Sequence, residues 1–280
     1  MGRRARPLGV GDGSIFVGTD MLSDASTTPE PVLLQPSDIA GRLACEGYAL
    51  LPPAAAGAAF GADLAALEAL RDSWERLPRD AYLRDGGKYR SRRHSCFVLR
   101  FAAGLEAGIL EVMPHRPHWQ PTAYNALHGG LTRWFEPIEP AVSASPAWRR
   151  LLSSLGELFR RLKAVERWCI EAHQFRIDTA SGIGRPTPEG AHRDGVDFVA
   201  VVLVGRRNVL GGETRVFDAH GTAGVRFTMQ EPWSMLLMDD ARVIHETTPI
   251  QPQGPAGVRD TLVLTYRAEE FQAPEATPAG

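Results

Sequence analysis

Val258-Arg-Asp-Thr-Leu-Val-Leu-Thr-Tyr266 is the stretch that decides the fold. Side chains alternate between faces along a strand. Val258, Leu262, Leu264 and Tyr266 therefore share one face, with Asp260 as the exception, and Arg259, Thr261, Val263 and Thr265 share the other. The first face suits packing beneath helices. The second reads as a barrel interior with polar tips and one arginine. A buried arginine needs an anionic partner, because an unpaired buried charge is costly. Its planar fork suits a carboxylate, and Thr261 on the same face can add a hydrogen bond. A carboxylate ligand or an ion pair with Asp178, Asp239 or Asp240 would serve equally.

Outward from this strand, short β runs occur near 170–178, 197–204, 214–218, 224–229, 233–238 and 242–247. Turn signals at Gly182-Ile-Gly184, Gly211-Gly212, His220-Gly221 and Gln253-Gly-Pro255 separate them. Seven short strands without intervening helices predict a sandwich, barrel or jelly roll. The upstream zone, 35–167, is helix-rich. Ser37 is a candidate N-cap for a short helix ending near Gly47, and Tyr48 to Leu51 reads as a strand stopped by Pro52-Pro53. Residues 61–76 and 147–166 carry helical periodicity, the latter with Trp148, Leu151, Leu152 and Leu155 on one side. The expected class is α+β with a mainly β core, flanked by helices from the N-terminal half. We expect one domain over 35–272, with the strands in 168–267 and mobile tails at 1–34 and 273–280.

The chain has 280 residues, 44% hydrophobic and 23% charged, with a formal charge of −2. That balance is globular, and it offers no global basic field for nucleic acid. No apolar run approaches the ~20 residues that span a bilayer. Three scattered cysteines, Cys45, Cys96 and Cys169, fit a reducing cytoplasm better than a disulfide framework. No apolar run that would mark an export signal follows Arg3, Arg4 and Arg6.

The sharpest chemical feature is Glu189-Gly-Ala-His192-Arg-Asp194-Gly195. Residues two apart on an extended chain point the same way, so His192 and Asp194 can converge on one point. Alone, such a pair is commonplace on protein surfaces. His245 follows in Asp240-Ala-Arg-Val-Ile-His245-Glu, at the end of a predicted strand. Two histidines and one carboxylate, leaving coordination positions open, make the facial triad of non-haem Fe(II) oxygenases. The competing reading is a structural His245 bonded to backbone. Lys88, Arg90, Arg92, Arg93 and His94 precede an apolar run and read as a solvated or ion-paired strand end. A functional alternative puts one of these arginines at the mouth of a site. His115, His118 and His128 have no spacing partner and read as ordinary surface or hydrogen-bonded histidines.

Taken together, His173-Gln-Phe-Arg-Ile177, Pro186-Thr-Pro-Glu-Gly190, His192-Arg-Asp-Gly195, Asn208-Val-Leu-Gly-Gly-Glu213, Asp239-Asp240, His245 and Arg259-Asp260 resemble the double-stranded β-helix (jelly-roll, cupin-like) family of Fe(II)- and 2-oxoglutarate-dependent dioxygenases. Gln120, Tyr124-Asn125 and Gly129-Gly130 add to the resemblance, which covers roughly 88–267 and is nearest to the bacterial branch containing L-isoleucine 4-hydroxylase. It implies that His192, Asp194 and His245 bind Fe(II), and that Arg259, assisted by Thr261, holds the distal carboxylate of 2-oxoglutarate. It also implies hydroxylation of a free or lightly modified L-amino acid with O2 as cosubstrate, releasing succinate and CO2. With Asp194 present, a halogenase is disfavoured.

Substrate contacts are expected from Gln174 and Arg176, if their face of the strand is the interior one, and from Arg93. Asp239 or Asp240 is a candidate to orient a ligand. A lid is expected from 84–130. Two other classes compete: a metal-dependent hydrolase, and a non-catalytic ligand-binding β-sandwich. Hydrolysis would leave Arg259 without a purpose, since it needs no carboxylate cosubstrate.

Overall fold

The computed structural model describes residues 36–102, 107–268 and 270–274. The expected tail at 1–34, and all but the first two residues of the one at 273–280, lie outside them. The N-terminal half contributes α1 (Pro36–Glu46), β1 (Tyr48–Leu51), α2 (Pro53–Phe60), α3 (Leu64–Glu68), a 3-10 helix (Arg71–Arg76), β2 (Arg90–Arg100), β3 (Ile109–Val112), α4 (Pro140–Ser143) and α5 (Pro146–Leu162). The C-terminal half contributes β4 (Arg167–Asp178), β5 (Phe198–Arg207), β6 (Val209–Gly211), β7 (Thr214–Asp218), β8 (Gly224–Phe227), β9 (Met235–Asp239), β10 (Val243–Thr247), β11 (Ile250–Pro252) and β12 (Val258–Ala268).

Among the described residues the strands form a seven-stranded sheet in the order β1-β9-β5-β12-β4-β2-β3, a three-stranded sheet β10-β7-β8 and the pair β11-β6. Every pairing is antiparallel. This is the double-stranded β-helix architecture, with helices against the outer face of the large sheet.

α5 shows why that face is covered. Trp148, Leu151, Leu152, Leu155, Leu158 and Phe159 recur at helical spacing and are buried. They pack on Ile170 and Ala172 of β4 and on Leu262, Leu264 and Tyr266 of β12. Each buried leucine contributes roughly 1.5–3 kcal/mol. The approach is close: a Cβ on Gly156 would lie 2.3 Å from Leu99 Cδ2, and Trp168 Nε1 donates to the Gly156 carbonyl at 2.9 Å.

The expected helix over 61–76 is instead α3 followed by the 3-10 helix. Asp63 caps α3, its side chain accepting from the N–H groups of Ala65 and Ala66 at 3.0 Å. The larger departure is β2. The expected solvated basic strand end is an eleven-residue strand inside the large sheet, between β4 and β3. Arg90, Arg92 and His94 are buried. Alternation turns them to the concave side, where Asp80 and aromatic rings take the charge.

Candidate active site

The concave side of the large sheet is lined by the odd-numbered residues of β4 and β12. Glu171, His173, Phe175 and Ile177 face a cavity there, together with Arg259, Thr261, Val263 and Thr265. The register fixes this, since Val263 lies opposite His173 and Thr261 opposite Phe175. The face read from the sequence for β12 is therefore the observed one.

For β4 the expected face is corrected. Gln174 and Arg176 turn outward, towards the helical layer. Gln174 Nε2 donates to Ser73 Oγ at 2.9 Å. Arg176 forks onto Asp260 at 2.8 and 2.7 Å and also pairs with Glu75. Arg93 likewise faces away from the cavity and pairs with Glu136 at 2.8 Å. The cause is strand parity: once Ile170 and Ala172 pack under α5, positions 174 and 176 must follow them.

At one end of the cavity His192, Asp194 and His245 converge. Both imidazole Nε2 atoms lie 3.9 Å from the Asp194 carboxylate, one at each oxygen. The backbone enforces the meeting, as His192 and His245 exchange N–H···O bonds of 3.0 Å in both directions. His192 Nδ1 donates to the Gly190 carbonyl at 2.9 Å, which leaves the Nε2 lone pair turned inward. Burial by itself would lower the His192 pKa, but Asp194 and Glu189 outweigh it and raise it. His245 moves the other way, well below its ordinary value, through burial and then His192. Two nitrogen donors and a carboxylate on one side of an open space suit a divalent metal of the Fe(II) type.

Asp240 holds the segment that carries Asp194. Its carboxylate accepts from the backbone N–H groups of Asp194, Gly195 and Val196 at 2.9, 2.8 and 3.1 Å. Gly195 has φ +74, and a Cβ there would lie 2.4 Å from the Tyr124 ring. Gln120 Nε2 donates to Asp194 Oδ1 at 3.2 Å and fixes the carboxylate from the other side.

Arg259 is buried and lines the cavity beside Thr261. Among the described residues no carboxylate pairs with it, and its Nε has no partner. The three acids that could have satisfied it are engaged elsewhere. Asp178 pairs with Arg79, Asp239 accepts from Ala241 N–H at 3.1 Å, and Asp240 holds the Asp194 segment. Burial lowers the Arg259 pKa to about 10, which leaves it charged at neutral pH.

Of the rest of the wall, the sequence offered Arg90 or Arg92 only as an alternative at the mouth of a site and Gln120 only within the resemblance, and it gave His118, His128 and Arg133 no place there. Arg90, Arg92, His118, Gln120, His128 and Arg133 all face the cavity. His118 and His128 are buried, so the hydrogen-bonded alternative holds and the surface one does not: His118 Nδ1 pairs with Glu171 at 2.6 Å, and His128 Nε2 accepts from the Arg84 N–H at 3.4 Å. The legible signal was the alternation Arg90-x-Arg92-x-His94 in phase with His173-x-Phe175-x-Ile177, which register pairs across β2 and β4. Arg92 lies between two rings, 3.8 Å from the Phe135 centroid and 4.4 Å from that of Phe175.

The model for a 2OG-Fe dioxygenase family matches residues 71–265. A solved bsmA homolog from Methylobium petroleophilum PM1 is 55% identical, with TM-score 0.81, over 86% of this chain and 96% of that one. IDO from Bacillus thuringiensis is 16% identical, with TM-score 0.67, over 85% and 97%. The Fe(II)/α-ketoglutarate-dependent dioxygenase TqaL is 17% identical, with TM-score 0.63, over 84% and 87%. The last two likenesses concern the fold alone. No curated protein sequence matches the chain significantly.

Proposed function

The chain belongs to the 2OG-Fe dioxygenase family, and from that premise we propose that it hydroxylates an unactivated C–H bond of a free L-amino acid. Fe(II) and 2-oxoglutarate are the family's cofactor and cosubstrate. We assign the metal to His192, Asp194 and His245, and the distal carboxylate of 2-oxoglutarate to Arg259 with Thr261. The observation that carries this is the pairing, in one cavity, of the His-Asp-His donor set with a buried guanidinium that has no carboxylate partner among the described residues. A hydrolytic metal site would not account for that guanidinium. The amino-acid assignment, and the relation to isoleucine hydroxylases, rest on the sequence resemblance and on a cavity lined by charges of both signs. A cytoplasmic setting belongs to the same proposal, supported by a sparse and odd count of three scattered cysteines.

When bound, Fe(II) and 2-oxoglutarate supply O2 activation with oxidative decarboxylation, so that one oxygen atom enters succinate and the other becomes the product hydroxyl. The protein's own part is positioning. The Gly190 carbonyl fixes the His192 tautomer, Asp240 and Gln120 fix Asp194, and Arg259 would hold the distal carboxylate of the keto acid. Apolar Val201 and Val263 among the lining residues help keep water out.

The test is succinate release by the purified protein with Fe(II), ascorbate, O2 and 2-oxoglutarate across a panel of L-amino acids. Release stimulated by at least one amino acid, and lost in His192→Ala and Arg259→Ala, is the expected result. A protein that binds 2-oxoglutarate and metal but is stimulated by no amino acid overturns the substrate class.

A further inference from the structure

Behind the metal end, the cavity meets a second cluster. His94, His118, Glu171 and His173 are all buried and bring their ligating atoms within 4.8 Å of one another. Its two shortest contacts to Glu171 are those of hydrogen bonds. Glu171 Oε2 lies 2.6 Å from His118 Nδ1, 3.0 Å from His94 Nε2 and 3.6 Å from His173 Nε2. The first is shorter than two ligands of one metal ion stand apart. Arg92 Nη2 lies 2.7 Å from His173 Nδ1. A guanidinium only donates, so that nitrogen is an acceptor and Nε2 carries the proton. A metal on Nε2 would therefore require an imidazolate. Three neutral imidazoles turned towards one carboxylate oxygen is the consistent account. Burial lowers all three histidine pKa values. Burial pushes Glu171 up, but His118 and His94 outweigh it and hold the carboxyl below its usual range. Glu171 is thus a fixed anion lining the cavity, and its other oxygen accepts no hydrogen bond from the described residues.

Arg133 is its counterpart. It is 2% exposed and lines the same cavity. No carboxylate pairs with it among the described residues, and its Nε has no partner. Its one side-chain bond is from Nη2 to Gln120 Oε1 at 3.1 Å. The same amide group bonds Asp194, so the free guanidinium stands about one amide's width beyond the metal ligand's contact. The neighbouring arginines differ: Arg90 has Asp80 at 2.7 Å, and Arg92 has His173 and two aromatic rings.

We propose that Arg133 and Glu171 form a clamp for the substrate zwitterion, Arg133 taking the α-carboxylate and Glu171 the α-ammonium, with His94, His118 and His173 as positioning residues for Glu171. This rests on the amino-acid reading above and narrows it. Each pole left unmatched would bury a bare charge, so the substrate must carry a free amine and a free carboxylate. Peptidyl, carrier-tethered and N-acylated amino acids are excluded. Glu189, whose Oε2 is buried with no partner among the described residues, is the rival anion.

The experiment uses the full chain, loaded anaerobically with Fe(II) and 2-oxoglutarate, and follows the visible absorption of the metal–keto acid chelate. L-amino acids, their amides and their N-acetyl derivatives are titrated in. Wild type should bind at least one amino acid and bind its amide and its N-acetyl form at least about 100-fold more weakly. Arg133→Met should lose the preference for acid over amide, and Arg133→Lys should restore part of it. Glu171→Gln should lose the preference for the free amine. An amide or N-acetyl derivative that binds as well as the acid overturns the clamp and leaves the amino-acid reading standing. So does an Arg133→Met protein that keeps its discrimination, or loss of amine selectivity in Glu189→Gln and not in Glu171→Gln. A chelate that forms but responds to no amino acid overturns both. The derivatives act on wild-type protein, so a misfolded variant does not remove the test.

Discussion

His192 and His245 stand in the sequence as two isolated histidines, yet their backbones exchange both hydrogen bonds, at 3.0 Å each way. This antiparallel bridge joins the segment after β4 to β10. It sets the distance between two imidazoles before any metal is present. Preorganisation of this kind lowers the entropy cost of assembling a metal site.

Removing a donor should therefore abolish metal binding without unfolding the barrel. We expect His192→Ala and Asp194→Ala to lower succinate formation by about 1,000-fold or more. In wild type, Fe(II) at 100 times its dissociation constant should stabilise the fold by about 2.7 kcal/mol. Thermal unfolding with and without metal checks both statements, and an equal metal-induced shift in the variants would refute the assignment.

Asp240 should matter nearly as much as a ligand. Asp240→Ala leaves the N–H groups of Asp194, Gly195 and Val196 without their acceptor. Metal affinity should fall roughly 10–100-fold, the usual range for outer-shell partners. Equilibrium competition with a chelator measures it. Asp240→Asn keeps one acceptor and should fall between.

Arg259 gives a prediction with opposite signs in two states. Without cosubstrate it is a buried guanidinium with no carboxylate partner among the described residues, so Arg259→Met should leave stability unchanged or raise it by about 1 kcal/mol. With 2-oxoglutarate present the same change should weaken cosubstrate binding by about 2–4 kcal/mol, or roughly 30- to 1,000-fold. Calorimetric titration beside thermal unfolding would reveal whether the signs differ.

Gly195→Ala tests the backbone of the metal segment. The residue sits at φ +74 with the Tyr124 ring 2.4 Å from the position of a Cβ. We expect about 2 kcal/mol or more of destabilisation and a matching loss of metal affinity. Pairing the substitution with Tyr124→Ala should recover the steric part and leave the dihedral part, which a double-mutant cycle separates.

Acid should act through the second cluster. The pKa values of His94, His118 and His173 are lowered by burial, that of His118 to about 4, so the unfolded chain binds more protons below pH ~6.5. The stability these groups contribute is complete above that pH and falls as pH drops through 6.5 towards 4. Glu171, held below its usual range, adds a further loss at lower pH. Denaturant titrations from pH 7.5 to 4.5 should show this decline, reduced in His118→Gln. A flat profile across that interval would contradict neutral buried imidazoles.

Much of the site was legible in the chain. The two-residue spacing of His192 and Asp194, the placement of His245 on a strand (at the middle of β10 and not, as expected, at its end) and the alternation through Arg259 each follow from the period of an extended backbone. The same period gave seven of the nine C-terminal strands near their observed bounds and missed the three-residue strands β6 and β11. It could not say which face of β4 looks inward. Both faces of that strand carry polar groups, Gln174 and Arg176 on one and Glu171 and His173 on the other, so polarity did not decide.

What the sequence determined by itself was local: strand period, turn positions, the amphipathic face of α5 and the residue types at the metal end. The tertiary structure alone decided the parity of β4 and the burial of β2, because those depend on which strand pairs with which and on where α5 docks. It also decided which charges find partners. Asp80 takes Arg90, Asp260 takes Arg176, and Arg133 and Arg259 have no carboxylate partner among the described residues. Pairing of this kind is a property of positions distant in the chain, set by sheet order and register, and no local pattern encodes it.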